Sequence, residues 1–246
     1  MRKINWQIML GVVLVGLSAA MYFAHYLMFH DAHHIFIYLV GDIAFVPVEV
    51  LLVTLIIHRL LHQREKMILL KKMNMVIGVF FSEVGTVLLK KLTGFQTDPG
   101  KLSEQLLIDN SWSKKRFLAV EKRMREYPYT IAMRRENLDD VREFCRQKKD
   151  FLLRLLENSH LLEHDSFTDL LWAVTHLTEE LMHRDELTSL PDTDYTHLTG
   201  DIKRVYARLV AEWVGYLRHL KESYPYLFSL ALRTNPFDSQ ASIHVQ

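Results

Sequence analysis

Cysteine is almost missing from this chain. Its 246 residues hold one, Cys145, so no disulfide can close within it and a disulfide-stapled secreted fold is excluded. Proline and glycine are sparse, at 6 and 9 residues, a composition that suits long helices better than hairpins and tight turns. Neither charge sign prevails, with 30 Lys and Arg against 29 Asp and Glu, so no nucleic acid is expected as a partner. The chain also lacks a Walker loop, GxGxxG, His-Glu-x-x-His, a GxSxG elbow and a CxxC pair. No catalytic residues are therefore expected, and the sequence reads as non-enzymatic.

What it has in abundance is apolar surface, 49% of residues, and this is concentrated at one end. From Ile4 to Phe29 there is no Asp, Glu, Lys or Arg. At ~1.5 Å per residue such a run crosses a hydrocarbon core of about 30 Å, and it exceeds the roughly 7–15 residues of a signal-peptide core. A second run, Ile35 to Ile57, follows after the short connection His30-Asp31-Ala32-His33-His34. Arg2 and Lys3 precede the first run. Arg59, Arg64, Lys66, Lys71 and Lys72 follow the second, and the connection carries neither Lys nor Arg. The positive-inside rule then predicts a multi-pass protein of the cell membrane, with both termini cytoplasmic and the histidine turn outside.

The expected fold is all-α. Residues 1–66 form a transmembrane hairpin with spans of about 5–29 and 35–57. Residues 67–92 form an interfacial or buried amphipathic helix, 93–100 a Gly- and Pro-marked linker, and 101–246 a cytoplasmic all-helical bundle domain. Within that domain Ser111 or Ser113 is placed to start a helix ending before Tyr127-Pro128-Tyr129, Asn137 to cap a second, and Ser166 with Asp169 to open a third. Ile202, Val205, Leu209, Trp213, Tyr216 and Leu220 make one helical stripe, with Lys203, Arg204, Arg208, Glu212 and Arg218 on the faces turned away from it.

Candidate sites follow from the chemistry of each region. Asp42 and Glu49 lie two turns apart on one face of the second apolar run, where an ionised carboxylate costs several kcal/mol, roughly 2.5–3.5, and Pro47 between them frees a backbone carbonyl. Two readings stay open: acidic rings along a cation or proton path in a homo-oligomer, or a bland one in which the carboxyls are neutral or hydrogen-bonded to groups such as Ser18, Tyr22 or Tyr38. Gly16, Ala20 and Ala24 form a small-residue seam suited to close helix packing. Arg59, Arg64, Lys66, Lys71 and Lys72 suit anionic lipid head groups. His30, Asp31, His33 and His34, with His25 nearby, have ligand chemistry for a divalent metal such as Zn or Cu; no other cofactor is expected. Glu157-x-x-His160 and Glu180-x-x-His183 share the spacing found in di-iron bundles. Cys145 falls on an apolar face and reads as a core residue.

The expected function is an oligomeric integral membrane protein whose cytoplasmic helices serve assembly, sensing or partner binding. Its partners are the bilayer, further copies of itself and a cytoplasmic protein. The alternative is a small homo-oligomeric cation channel or proton pathway lined by Asp42 and Glu49.

Overall fold

The computed structural model describes residues 6–158, 161 and 164–244, which leaves Arg2, Lys3 and His160 outside the described residues. The chain divides into two compact units, residues 1–66 and 67–246. Among the described residues every regular element is helical, and the β structure is one isolated antiparallel bridge between Gln96 and Ile131.

The first unit is two helices long and apolar enough to cross a membrane, judged by length and composition. Helix α1 spans Trp6–Phe29 and α2 begins at Ala32, running to Phe80 with Pro47 inside it. His30 makes the turn, with a left-handed backbone at φ 52°, and its N–H donates to the Tyr26 carbonyl at 2.8 Å. Asp31 Oδ1 accepts from the His34 N–H at 3.1 Å and so caps α2. No side chain of α1 is buried. The small-residue seam at Gly16 meets nothing within 4 Å, because α1 is apolar all round and this unit offers no core to receive one face of it.

The second unit is built in the opposite way. Residues 73–92 are part of its core: Met73, Ile77, Phe80, Phe81, Val84, Leu88, Leu89 and Leu92 are all buried. Helical hydrogen bonding continues from Ala32 to Thr93, through a π-helical segment at Phe81–Gly85 and into α3, Thr86–Thr93. The wide turn has a local cause. The Thr86 N–H reaches back five residues to the Phe81 carbonyl, its hydroxyl donates to the same oxygen at 2.8 Å, and Gly85 leaves room for the rings of Phe80 and Phe81, which a Cβ would meet at 2.6–2.9 Å.

Residues 93–100, expected as a linker, are a packed corner. Phe95 and Gln96 are buried, and the 95–97 strip exchanges backbone hydrogen bonds with 130–132. Gly94 and Pro99 are turn signals, but the turn is clasped by a segment distant in sequence. Beyond it lie α4 (Pro99–Leu106), α5 (Lys114–Arg125), α6 (Arg135–Leu156), α7 (Asp165–Met182), α8 (Asp192–Ser223) and α9 (Pro225–Arg233).

Helix α8 is the spine, packed by α3, α5, α7 and α9. Ser113 caps α5 as expected, while α6 starts two residues before Asn137. The cap of α7 is His164, whose ring nitrogen accepts from the Phe167 N–H at 3.2 Å; Ser166 sits inside the helix instead. Glu212, expected on a face turned outward, is buried and meets Arg125 of α5 at 3.3 Å. The α8 stripe therefore wraps farther round the helix than its apolar residues show.

Candidate functional site

Three groups of predicted residues sit on the first unit and the length of α2. Tyr22 of α1 donates its hydroxyl to Asp42 Oδ2 at 3.3 Å, one of the interhelical bonds left open by the sequence. Tyr22, Tyr38, Ser18, His25 and Asp42 share the walls of an otherwise apolar groove of about 650 Å³ between α1 and α2. Glu49 does not join them: it is exposed on α2 and makes no hydrogen bond or ion pair among the described residues. The two carboxylates are thus placed differently, one tied within the hairpin and one facing out.

Of the predicted turn ligands, His33 is exposed on α2, and the other three have contacts within the hairpin. His30 holds the left-handed turn, Asp31 caps α2, and His34 stacks on His25, with ring centres 6.4 Å apart, while its edge meets Tyr38 at 4.7 Å. Arg59, Arg64, Lys66, Lys71 and Lys72 are all exposed on α2.

In the second unit, Cys145 is buried and burial pushes its thiol up to about 11, so it is a protonated core group at neutral pH rather than a nucleophile. Of the two Glu-x-x-His pairs, the first includes His160, outside the described residues. The second does not assemble: His183 Nδ1 lies against the Glu179 carbonyl at 2.8 Å, and Glu180 turns the other way.

Where Glu180 turns is the place that sequence reasoning missed. His176 and Glu180 stand one turn apart on α7, and His197 and Asp201 stand one turn apart on α8. Among the described residues, His176, His197 and Asp201 form a set whose ligand atoms all lie within 4.8 Å of one another. Asp201 Oδ2 is 3.2 Å from His197 Nε2 and 3.5 Å from His176 Nε2. Glu180 adds Oε1 at 3.8 Å from His176 Nε2 and Oε2 at 3.5 Å from His197 Nε2.

Both carboxylates are held from behind. Arg204 Nη1 meets Asp201 Oδ1 at 2.6 Å, and Arg184 Nη1 meets Glu180 Oε2 at 2.6 Å, a bond that holds the Glu180 carboxyl below the usual range. The signal available in sequence was the pair of His-x-x-x-Glu and His-x-x-x-Asp spacings, each of which puts two ligands on one helix face. Their meeting depends on how α7 packs on α8.

Two helical family models match the chain and divide it near the same point as the two units. Residues 2–61 match the model described as the MJ1433 N-terminal helical domain, and residues 69–233 match that of the C-terminal helical domain of the uncharacterized protein MJ1433. A relative from Methanocaldococcus jannaschii, described as uncharacterized protein MJ1433, is 43% identical over 239 residues, covering 97% of this chain and 96% of its own. No solved structure matches.

Proposed function

The chain belongs to the MJ1433 family, and for this member we propose an integral membrane protein, non-enzymatic, in which the hairpin of residues 1–66 anchors a cytoplasmic helical domain used for assembly or partner binding. One observation carries the reading: a 24-residue apolar helix, α1, buries none of its side chains. In water such a surface is untenable, since monomeric soluble proteins rarely expose apolar patches beyond a few hundred Å², roughly 300–600; in lipid it is the ordinary solvent-facing surface. The exposed basic residues Arg59, Arg64, Lys66, Lys71 and Lys72 then sit where they meet anionic head groups and keep the C-terminal side cytoplasmic. Within the hairpin, Asp42 and Tyr22 act as an interhelical polar lock.

Gly16, where an added methyl meets nothing, and the exposed Ala20 and Ala24 support self-association, with a second copy packing along this seam. Glu49 supports the same view and is the observation that favours the alternative, a homo-oligomeric cation or proton path. An outward carboxyl on an apolar helix calls for a polar neighbour from another copy. In either case the function requires more than one chain.

The test is extraction and mass. The protein is expected to stay with membranes through alkaline carbonate washing and to enter solution only with detergent; release by carbonate alone overturns the anchor. Native mass spectrometry in nanodiscs then separates the two forms. A dimer fits the anchored assembly, whereas a tetramer or larger ring whose cation flux falls on Glu49→Gln fits the path.

A further inference from the structure

We propose that His176 Nε2, His197 Nε2 and Asp201 Oδ2 form a divalent-cation site, best suited to Zn²⁺, that fastens α7 to α8. The argument starts from Asp201. Its side chain is 2% exposed, and a buried carboxylate is tolerated only when its oxygens are satisfied. Arg204 satisfies Oδ1 at 2.6 Å. Oδ2 makes no hydrogen bond, although two imidazole nitrogens stand 3.2 and 3.5 Å away. Three donor atoms thus converge without bonding to one another.

Their spacing fits a missing fourth party. A tetrahedral Zn²⁺ with ligands at ~2.0–2.1 Å sets neighbouring ligand atoms about 3.3–3.4 Å apart. The separations of 3.2 and 3.5 Å match those edges. Glu180, at 3.8 and 3.5 Å from the two ring nitrogens, closes a further side. Imidazole and carboxylate together are the ligands this ion takes. Hydrogen bonding from the rings alone does not account for the cluster, because Asp201 Oδ2 accepts none although two ring nitrogens stand near it. A divalent ion among the three atoms satisfies that oxygen.

The outer shell is in place as well. Each carboxylate is held by a guanidinium, which fixes its rotamer: Arg204 takes Asp201 Oδ1 and leaves Oδ2 toward the rings, while Arg184 holds Glu180 Oε2, which also faces His197, and leaves Oε1 toward His176. The histidine side chains are 45% and 51% exposed, so the ion has a direct path from solvent and exchanges readily. A clamp of this kind joins two helices that are otherwise held by apolar packing, and it makes the second unit's stability depend on metal.

The full-length protein in nanodiscs, stripped with EDTA, is titrated with Zn²⁺ against a chromophoric chelator and with Co²⁺ by visible absorption. We expect one ion per chain at this site, an intense tetrahedral Co²⁺ band, and a Tm that rises with Zn²⁺. The pair His176→Ala with His197→Ala removes all three; both side chains are half exposed, so helicity by circular dichroism should stay unchanged. Replacing His30, His33 and His34 with Ala leaves the band and the Tm shift intact. As a check needing no variant, Zn²⁺ should protect His176 and His197 from diethyl pyrocarbonate, read by peptide mass. Absence of Zn²⁺ binding, binding that survives the His176/His197 pair but not the turn variant, or unprotected histidines each overturn the site.

Discussion

Helix α2 belongs to both units, and along it the same residue type is treated in opposite ways. Phe45 is 56% exposed and Phe80 is 0% exposed. Upstream of Lys66 the apolar residues surround the helix and stay exposed, while from Met73 onward Met73, Ile77 and Phe80 enter the core and Met75 and Val79 remain outside it. Composition alone does not distinguish these stretches; what their side chains pack against does. An all-round apolar helix is stable only with an apolar surrounding, whereas a one-sided one organises its own core against neighbouring helices. The first unit thus leaves its apolar surface uncovered, and the second makes its own interior.

The strongest way to break this contrast is to truncate equivalent residues in each region. Phe80 packs edge-on against Phe81 and Phe167, with centres 5.3 and 5.2 Å apart. Phe80→Ala should cost the second unit about 3–5 kcal/mol, from lost transfer energy and the cavity left behind. Phe45→Ala should change stability by no more than about 0.5 kcal/mol, as at an ordinary surface position. Denaturant melts of the detergent-solubilised protein, followed by tryptophan emission, measure both. Equal losses would mean that Phe45 is packed in an assembly.

Glycine sharpens the same contrast at smaller amplitude. A methyl at Gly85 would lie 2.6 Å from Phe81 Cδ1 and 2.8 Å from Phe80 Cε1. Gly85→Ala should therefore cost about 1–3 kcal/mol through overpacking and strain the π-helical segment. At Gly16 a methyl meets nothing, so Gly16→Ala should stabilise α1 by up to about 1 kcal/mol from helix propensity. If Gly16→Ala instead weakens the protein in a concentration-dependent manner, the seam is an interface between copies.

These pairs also mark how far the sequence could be read. The helices, the Ser113 cap and the apolar stripe of α8 were legible because each rests on spacing within one segment. Glu212 was misplaced because its burial depends on Arg125 of α5, 87 positions away in the chain. Residues 93–100 looked like a linker because Gly94 and Pro99 are local signals, whereas the burial of Phe95 comes with hydrogen bonds to 130–132. His164 escaped notice because imidazole is not among the usual caps. Among candidate sites, Tyr22 is legible as a partner for Asp42, since two adjoining apolar runs joined by a short turn face each other. The His176, His197 and Asp201 cluster was not. Glu180 had drawn attention through His183, three residues on, but its real neighbours are one turn back and across on α8, and the register between two helices is written in their packing.

The finest comparison sets two aspartates side by side. Asp201 is sealed in the second unit against Arg204, while Asp42 has one hydroxyl, that of Tyr22, 20 positions away. Interhelical hydrogen bonds in lipid average about 0.6 kcal/mol and reach about 1.7, because the separated helices find other partners. Asp42→Leu should accordingly loosen the hairpin by about that amount, and Asp42→Asn, which keeps an oxygen to accept from Tyr22, should loosen it less. A double-mutant cycle with Tyr22→Phe in SDS-titrated micelles isolates the pair, with an expected coupling near 0.6 kcal/mol. The same variants separate the two functional readings. A lock predicts that stability follows the hydrogen bond and that no cation flux exists to be lost. A path predicts that flux falls with Asp42→Asn even though the hairpin holds, because a permeating cation responds to the charge and Tyr22 responds to the acceptor.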